Sequence, residues 1–359
     1  MMEIFKNILI LVIGLSFIAL IHEFGHLIVA KFFGVYCSEF SIGMGPKLFG
    51  KKFGDTNYNF RALPLGGYVA MAGDENNEEN NVATMDVPYE KTLKALSPFK
   101  KILVMYAGIF MNIILAIIII AIILLKNGSY GVSSKPVVYS LMEGYPAYDS
   151  KLKVGDVIEY IEFENGSNIN VSNYVEMSAF LDMFDGKGNW KFVVDRNGNK
   201  LDIEITPRYI ENDSRYVMGA TFDSYQYVEI NVFNCLKYSC DYLWTITKLT
   251  VNALLELFKG IGMENLSGPV GMYSAVSEVS TMGYEYIWIL IATLSLNVGI
   301  MNALPIPVMD GGRVLITLVE WVVGKDLDKK IENFLMIASM TLLLLVFILV
   351  TYQDILKLF

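Results

Sequence analysis

Between Ile4 and Phe33 the chain stays apolar for the length of a bilayer crossing, and inside that run stands His22-Glu23-Phe24-Gly25-His26. A span of this kind needs about 20 apolar residues, and lipid excludes irregular backbone, so the stretch must be helical. On a helix, residues 22 and 26 lie one turn apart and about 40° apart around the axis, so both imidazoles can reach one metal ion. Glu23 sits off that line but close enough to hydrogen-bond a water on the metal. The pattern is that of two His ligands with a Glu as general base. The chain has only two histidines, and both are here. The alternative is two buried His and a Glu with no common task; it needs chance to have placed both histidines at this spacing and a bare Glu in lipid.

Composition agrees with a membrane protein: 54% of the 359 residues are hydrophobic. The formal net charge of −9 arises mostly from loops, and no basic patch with interleaved aromatics speaks for nucleic acid. Cys37, Cys235 and Cys240 form no metal or disulfide framework. The N-terminus does not read as a removable signal peptide, because the apolar run leads straight into His22 without a small-residue cleavage site.

Four membrane spans are expected, at Ile4–Phe33, Ile102–Leu125, Tyr286–Leu304 and Ile331–Tyr352, making the fold class membrane α-helical. The first span with its motif occupies residues 1–34. Residues 35–101 read as a membrane-associated β region: Gly/Pro-punctuated short strands of a small hairpin or sheet between Phe40 and Gly73, a polar loop from Asp74 to Asn81, and a short surface helix from Pro88 to Lys101. The second span, 102–126, is nearly all Ile, Leu and Ala, with Asn112 its conspicuous polar member. A soluble α+β domain follows at 131–223. Its signals are strands at Pro136–Leu141, Val157–Glu162, Trp190–Asp195 and Leu201–Thr206, an Asn197-Gly198 hairpin turn, and a helix near Val175–Phe184. Within 224–284, Asn231 to Phe258 is amphipathic but carries Lys237, Asp241, Lys248 and Glu256, and reads as a surface helix rather than a span. The third span, in 285–324, ends in Pro305-Ile306-Pro307-Val308-Met309-Asp310-Gly311-Gly312, with a helix restarting at Arg313 and running to Val323. The fourth lies in 330–353.

Lys31 follows the first span, Lys94, Lys100 and Lys101 precede the second, and Arg313, Lys325, Lys329 and Lys330 lie between the third and fourth. The opposite side offers only Lys126 and Lys135. The positive-inside rule therefore puts both termini and the soluble domain outside, and the β region in the cytoplasm. A catalytic zinc site needs a third protein ligand and a water. Cys37 lies in the loop after the first span. Asp310 ends an apolar segment and is freed from helix by two prolines. With four spans, His22, His26 and Asp310 reach similar depth near the cytoplasmic face. The competing reading of Asp310 is an Asp-Gly turn, and Glu320 reads as part of a solvated helix face.

Together, His22-Glu23-Phe24-Gly25-His26 and Asn302-Ala303-Leu304-Pro305-Ile306-Pro307-Val308-Met309-Asp310-Gly311-Gly312 resemble the two motifs of the site-2 protease family of intramembrane metalloproteases, close to its RseP-like group with an external PDZ domain. The likeness covers nearly the whole chain, with support from Ser267-Gly268-Pro269-Val270-Gly271, Ser295-Leu296-Asn297, Gly43-Met44-Gly45-Pro46 and Pro64-Leu65-Gly66-Gly67-Tyr68. It implies one Zn2+ per chain held by His22, His26 and Asp310, with Glu23 as catalytic base. It also implies that Asn302, Asn297, Gly66, Gly67 and Tyr68 help to position substrate. For Asn302 the other reading is a hydrogen bond that holds the helix break together. Gly108-Ile109-Phe110-Met111-Asn112 lacks the proline usual after that glycine, with Asn112 in place. The stretch Tyr145 to Ile158 resembles a PDZ segment, with Ser150 and Lys151 where Ala-Gly is usual, and one PDZ domain is expected.

The expected function is a zinc intramembrane endopeptidase of a bacterial cell membrane, embedded in the lipid bilayer. Its implied substrates are single-span membrane proteins already cut by another protease, such as anti-sigma factors, or signal-peptide remnants. The strands at Phe60–Met71 could pair with an unwound substrate, or simply cap the site. The alternative from another class is a catalytically silent PDZ membrane scaffold with structural zinc. An intact Glu23 argues against it, since a closed structural site needs no base.

Overall fold

A computed structural model describes residues 2–74, 87–183, 187–210, 215–260 and 266–356. The polar loop expected at Asp74–Asn81 lies outside them from residue 75 onward. The elements in chain order are α1 (Met2–Phe32), β1 (Cys37–Phe53), β2 (Thr56–Met71), α2 (Pro98–Asn127), β3 (Ser129–Leu141), α3 (Pro146–Asp149) and β4 (Val157–Phe163). Next come β5 (Asn168–Asn170), α4 (Tyr174–Met183), β6 (Trp190–Arg196), β7 (Asn199–Ile205), β8 (Arg208–Ile210), β9 (Arg215–Val217) and β10 (Ala220–Glu229). The chain closes with α5 (Cys235–Phe258), α6 (Pro269–Met282), α7 (Tyr284–Asn302), α8 (Asp310–Val323) and α9 (Lys329–Leu356). They fall into two compact units, Met1–Ile122 with Ser267–Phe359, and Ile123–Leu266.

In the first unit, α1, α2, α7 and α9 are long and apolar enough to cross a membrane, and the chain is a multi-pass membrane protein. Two boundaries differ from expectation. Pro88 to Lys101 is not one surface helix: it makes two 3-10 turns, Tyr89–Lys91 and Leu93–Ala95, and Lys100 and Lys101 belong to the first turn of α2. Pro98 explains the restart, since its fixed φ suits a first helical turn and its missing N–H costs nothing there. The helix expected from Arg313 begins instead at Asp310, whose carboxylate occupies the first turn, where the helix dipole favours negative charge.

β1 and β2 are long, bent strands that pair antiparallel. Residues 39–42 have a neighbour on each side, so that Phe40 pairs with both Val69 and Tyr58 and Ser41 with both Tyr68 and Asn59. The bend after Ile42 uses Gly43 at φ 84°, a conformation that L side chains rarely adopt. The inner face of the sheet joins Leu27 and Ala30 of α1 and Val104 and Met105 of α2 in one core, with Val35, Cys37, Phe40, Val69, Met71, Leu93 and Val314.

α6 is not among the helices expected above. Its N-cap is Gly268, which has no side chain to cap with. Asp354, buried near the end of α9, does that work by accepting the backbone N–H groups of Gly268 and Gly271 at 2.8 Å each. A cap supplied from 83 residues away leaves no capping side chain in the local sequence, where Pro269 in the first turn is the one mark of a helix start.

The second unit contains a six-stranded antiparallel sheet in the order β10-β3-β4-β6-β7, with β5 beside β4, and a separate β8–β9 hairpin. The Asn197-Gly198 turn has φ of 54° and 85°, as a type I′ hairpin requires. Alternating residues of the sheet and one face of α4 fill the core, with Ile158, Ile161, Phe192, Val194, Ile203 and Met177 fully buried. Asp156, wholly buried, is held by Arg196 through Nε and Nη2 at 2.7 Å each and by the Lys153 N–H at 2.8 Å.

Candidate metal centre

α1 and α2 approach closely because glycine stands at both contacts. A Cβ on Gly25 would lie 2.8 Å from the Ala107 carbonyl carbon. One on Gly108 would lie 2.6 Å from His26 Nε2 and 2.7 Å from His22 Nε2. Small residues let two spanning helices pack backbone to backbone. Here they also leave room for two imidazoles between them. On the third side, the break after α7 brings Asp310 in. Pro305 and Pro307 cannot donate backbone hydrogen bonds, and the turn closes through Ile306 N–H to Leu304 O and Met309 N–H to Ile306 O, both at 2.8 Å. Gly311 packs against this turn; a Cβ there would come to 2.5 Å from Leu304 O.

The outcome is a convergence of lone pairs. His22 Nε2 lies 2.9 Å and His26 Nε2 3.4 Å from Asp310 Oδ2, and the two Nε2 atoms are 3.2 Å apart. Asp310 Oδ2 is buried and has no hydrogen-bond donor. Among the described residues this is the one group of three His, Cys, Asp or Glu side chains whose ligand atoms all lie within 4.8 Å of one another. A carboxylate oxygen and two imidazole nitrogens converging at these distances suit a cation, and an N2O donor set suits zinc with a position left open. His26 Nδ1 lies 2.8 Å from Val104 O, so Nδ1–H donates there and Nε2 keeps its lone pair, as a metal-binding imidazole would need.

Glu23 stands beside this cluster. Its half-buried carboxylate accepts the backbone N–H of Val69, so the sheet orients it. Gly67 also lies beside it: a Cβ there would meet Ser41 O at 2.6 Å and Glu23 Cγ at 4.0 Å. Gly66 has φ 69° and faces Met44. The Tyr68 hydroxyl is engaged elsewhere: it donates to Glu39 Oε1 at 2.8 Å, within a network in which Arg61 also bonds Glu39, Ser41 Oγ and Gly45 O. Burial alone would raise the Glu39 carboxyl, but hydrogen bonds from Asn59, Arg61 and Tyr68 hold it below the usual carboxylate range. Asn297 lies on α7 and Asn302 is its last residue; neither belongs to the donor cluster. Cys37 is also outside it, and burial pushes its thiol up to about 11, so it stays protonated.

Two backbone groups at the site, Val104 O and Val69 N–H, carry no sequence signal. Gly108 does carry one, as a lone glycine in an otherwise branched and aromatic stretch of α2.

The family model for peptidase family M50 matches residues 10–346. A Fusobacterium nucleatum protein described as a candidate zinc metalloprotease is 32% identical over 98% of this chain and 99% of its own length. A Clostridium acetobutylicum protein with the same description is 30% identical over 98% of each chain. The Bacillus subtilis regulator of sigma-W protease RasP is 28% identical over 94% of this chain and 95% of its own. With the match running through the helices that carry His22, His26 and Asp310, the chain belongs to peptidase family M50, the site-2 proteases, and is a membrane-embedded zinc metalloprotease.

Proposed function

We propose that His22, His26 and Asp310 hold the zinc, that Glu23 is the catalytic base, and that the substrates are single-span membrane proteins cut within or near their membrane segments. The observation that supports this most is the meeting of His22 Nε2, His26 Nε2 and Asp310 Oδ2 beside the Glu23 carboxylate. Zinc, when bound, supplies Lewis acidity that polarises the scissile carbonyl and acidifies water. Glu23 removes the proton from the attacking water and returns it to the leaving amine, and the Val69 N–H keeps its carboxylate aimed while it does so.

A helical substrate hides its scissile bond behind its own backbone hydrogen bonds, so it must unwind locally. The strand at residues 66–71 offers an unwound segment a pairing edge. Gly67, with no side chain between Ser41 and Glu23, lets that segment come close to the base. Asn302, Asn297, Gly66, Gly67 and Tyr68 position substrate in this reading, Tyr68 indirectly, by locking Arg61 and Glu39 across the sheet.

The charge asymmetry of the loops puts both termini and the 131–223 domain outside a bacterial cell membrane and the active site near its cytoplasmic face. That domain is read as a single PDZ module, which excludes bulky ectodomains or holds newly exposed ends, so that cleavage follows a first cut by another protease. The Bacillus subtilis relative is named for sigma-W regulation, which favours anti-sigma factors among the candidate substrates.

The test is Glu23→Gln in the full chain, reconstituted with a pre-trimmed single-span substrate. Cleavage should fall at least about 1,000-fold with zinc content unchanged, as loss of a positioned base in a metal site implies. Cleavage at the parent rate would remove Glu23 as base.

A further inference from the structure

Asn112, on α2, is fully buried, and the reaction as derived gives it no task. Its amide nitrogen lies 3.3 Å from His22 Nδ1, while its amide oxygen is buried with no hydrogen-bond partner. The residue cannot withdraw. Its backbone carbonyl accepts Ser295 Oγ at 2.9 Å, and a Cβ on Gly299 of α7 would already touch Asn112 Cβ at 3.6 Å.

The two ends of a carboxamide are nearly equal in size, so its orientation follows from what it bonds. With the nitrogen facing His22, the ring must accept at Nδ1 and carry its proton on Nε2. That is the atom turned toward Asp310, and a protonated nitrogen cannot ligate. Half a turn about Cβ–Cγ removes the conflict. The orphaned oxygen then accepts Nδ1–H, and Nε2 presents its lone pair. His26 already has this arrangement, with Val104 O at its Nδ1. Residues 104 and 112 lie about two turns apart on α2, so one helix supplies an acceptor to each ligand ring.

We infer that Asn112 is a positioning residue that fixes the His22 tautomer for zinc by accepting its Nδ1–H. The inference rests on the reading that His22, His26 and Asp310 hold the metal. Supporting groups of this kind are worth about 10–100-fold in metal affinity.

The experiment measures zinc affinity of the full chain in detergent by competition with a chromophoric chelator, for the parent, Asn112→Leu, Asn112→Asp and Asp310→Ala. Asn112→Leu should bind zinc about 10–100-fold more weakly, while Asn112→Asp, which keeps an acceptor of the same shape, stays close to the parent. In zinc-loaded protein labelled with nitrogen-15 histidine, the two rings give two Nδ1–H signals, and Asn112→Leu should lose exchange protection at one of them only. If Asp310→Ala loses zinc but Asn112→Leu does not, the role of Asn112 is overturned and the metal site stands. If Asp310→Ala binds like the parent, the metal-site reading fails. Equal losses in Asn112→Asp and Asn112→Leu would make the contact mere packing and overturn the inference as well.

Discussion

Asp156 in the second unit and Asp310 in the membrane unit are both largely withdrawn from solvent, and the two are completed differently. Asp156, in the second unit, meets a bidentate Arg196 and a backbone N–H, so its charge is matched inside the chain. Asp310, in the membrane unit, faces two imidazole nitrogens and has no donor on Oδ2. A buried charge is costly unless paired, so a pair complete in itself is architecture, whereas a carboxylate grouped with two imidazoles is the kind of cluster that marks a functional site. The surroundings differ in the same way. The second unit buries large side chains against one another, whereas the membrane unit turns many apolar side chains outward, Phe110, Ile118 and Ile122 of α2 among them. Its precision comes from glycines at contacts where no Cβ would fit.

The sharpest way to break this contrast is Gly108→Ala. One methyl group would fall 2.6 Å from His26 Nε2 and 2.7 Å from His22 Cε1, so the rings must move or the helices part. Displacements of about 1 Å at a reacting centre can cost about 100-fold, and cleavage of a single-span substrate should drop at least that far, with zinc content falling alongside. Full zinc content and full activity in this variant would show that the interhelical fit does not shape the site.

How much of this was legible beforehand follows from where each signal resides. His22, Glu23 and His26 declare themselves within five residues, and Asp310 follows once span count and depth are combined. Four strands of the second unit, β3, β4, β6 and β7, were readable because alternation and an Asn-Gly turn are local; β5, β8, β9 and β10 were not among the expected strands. The register of β1 on β2 was not, since residues 39–42 pair on two sides and several bulges intervene. Neither was α6, whose cap comes from Asp354, nor the Asp310 start of α8, which the two prolines and two glycines disguised as loop. Backbone groups such as Val104 O and Val69 N–H are invisible by nature: every residue has them, and only the fold decides which are aimed at a histidine or a carboxylate.

A large-to-small change in the other unit should separate the two regions. Phe192 is fully buried in the sheet core, and Phe192→Ala should destabilise the second unit by about 3–5 kcal/mol through lost burial and the cavity left behind. Hydrogen exchange on the full chain would show this as lost protection in β4, β6 and β7, with zinc content unaltered. Loss of zinc together with that protection would mean that the metal centre depends on the second unit's core.

Acid should produce the smallest effect, and it tests the completed pair. Burial alone would raise the Asp156 carboxyl, but the hydrogen bonds from Arg196 and the Lys153 N–H, with the Arg196 charge, hold it below its usual value. Its unfolded value is about 3.9. A carboxyl whose folded value is depressed stabilises fully above the unfolded value, and that contribution is lost as pH falls through the folded one. Amide protection in β4 and β6 of the full chain should therefore exceed that of Asp156→Asn at neutral pH and converge with it in acid. Comparing the two proteins at each pH cancels the titration of other carboxyls, including Glu159 with its exposed Lys135 and Lys200 partners. A gap that stays constant from neutral pH into acid would show that Asp156 acts through its shape and hydrogen bonds alone, and the contrast with Asp310 would no longer be one of charge.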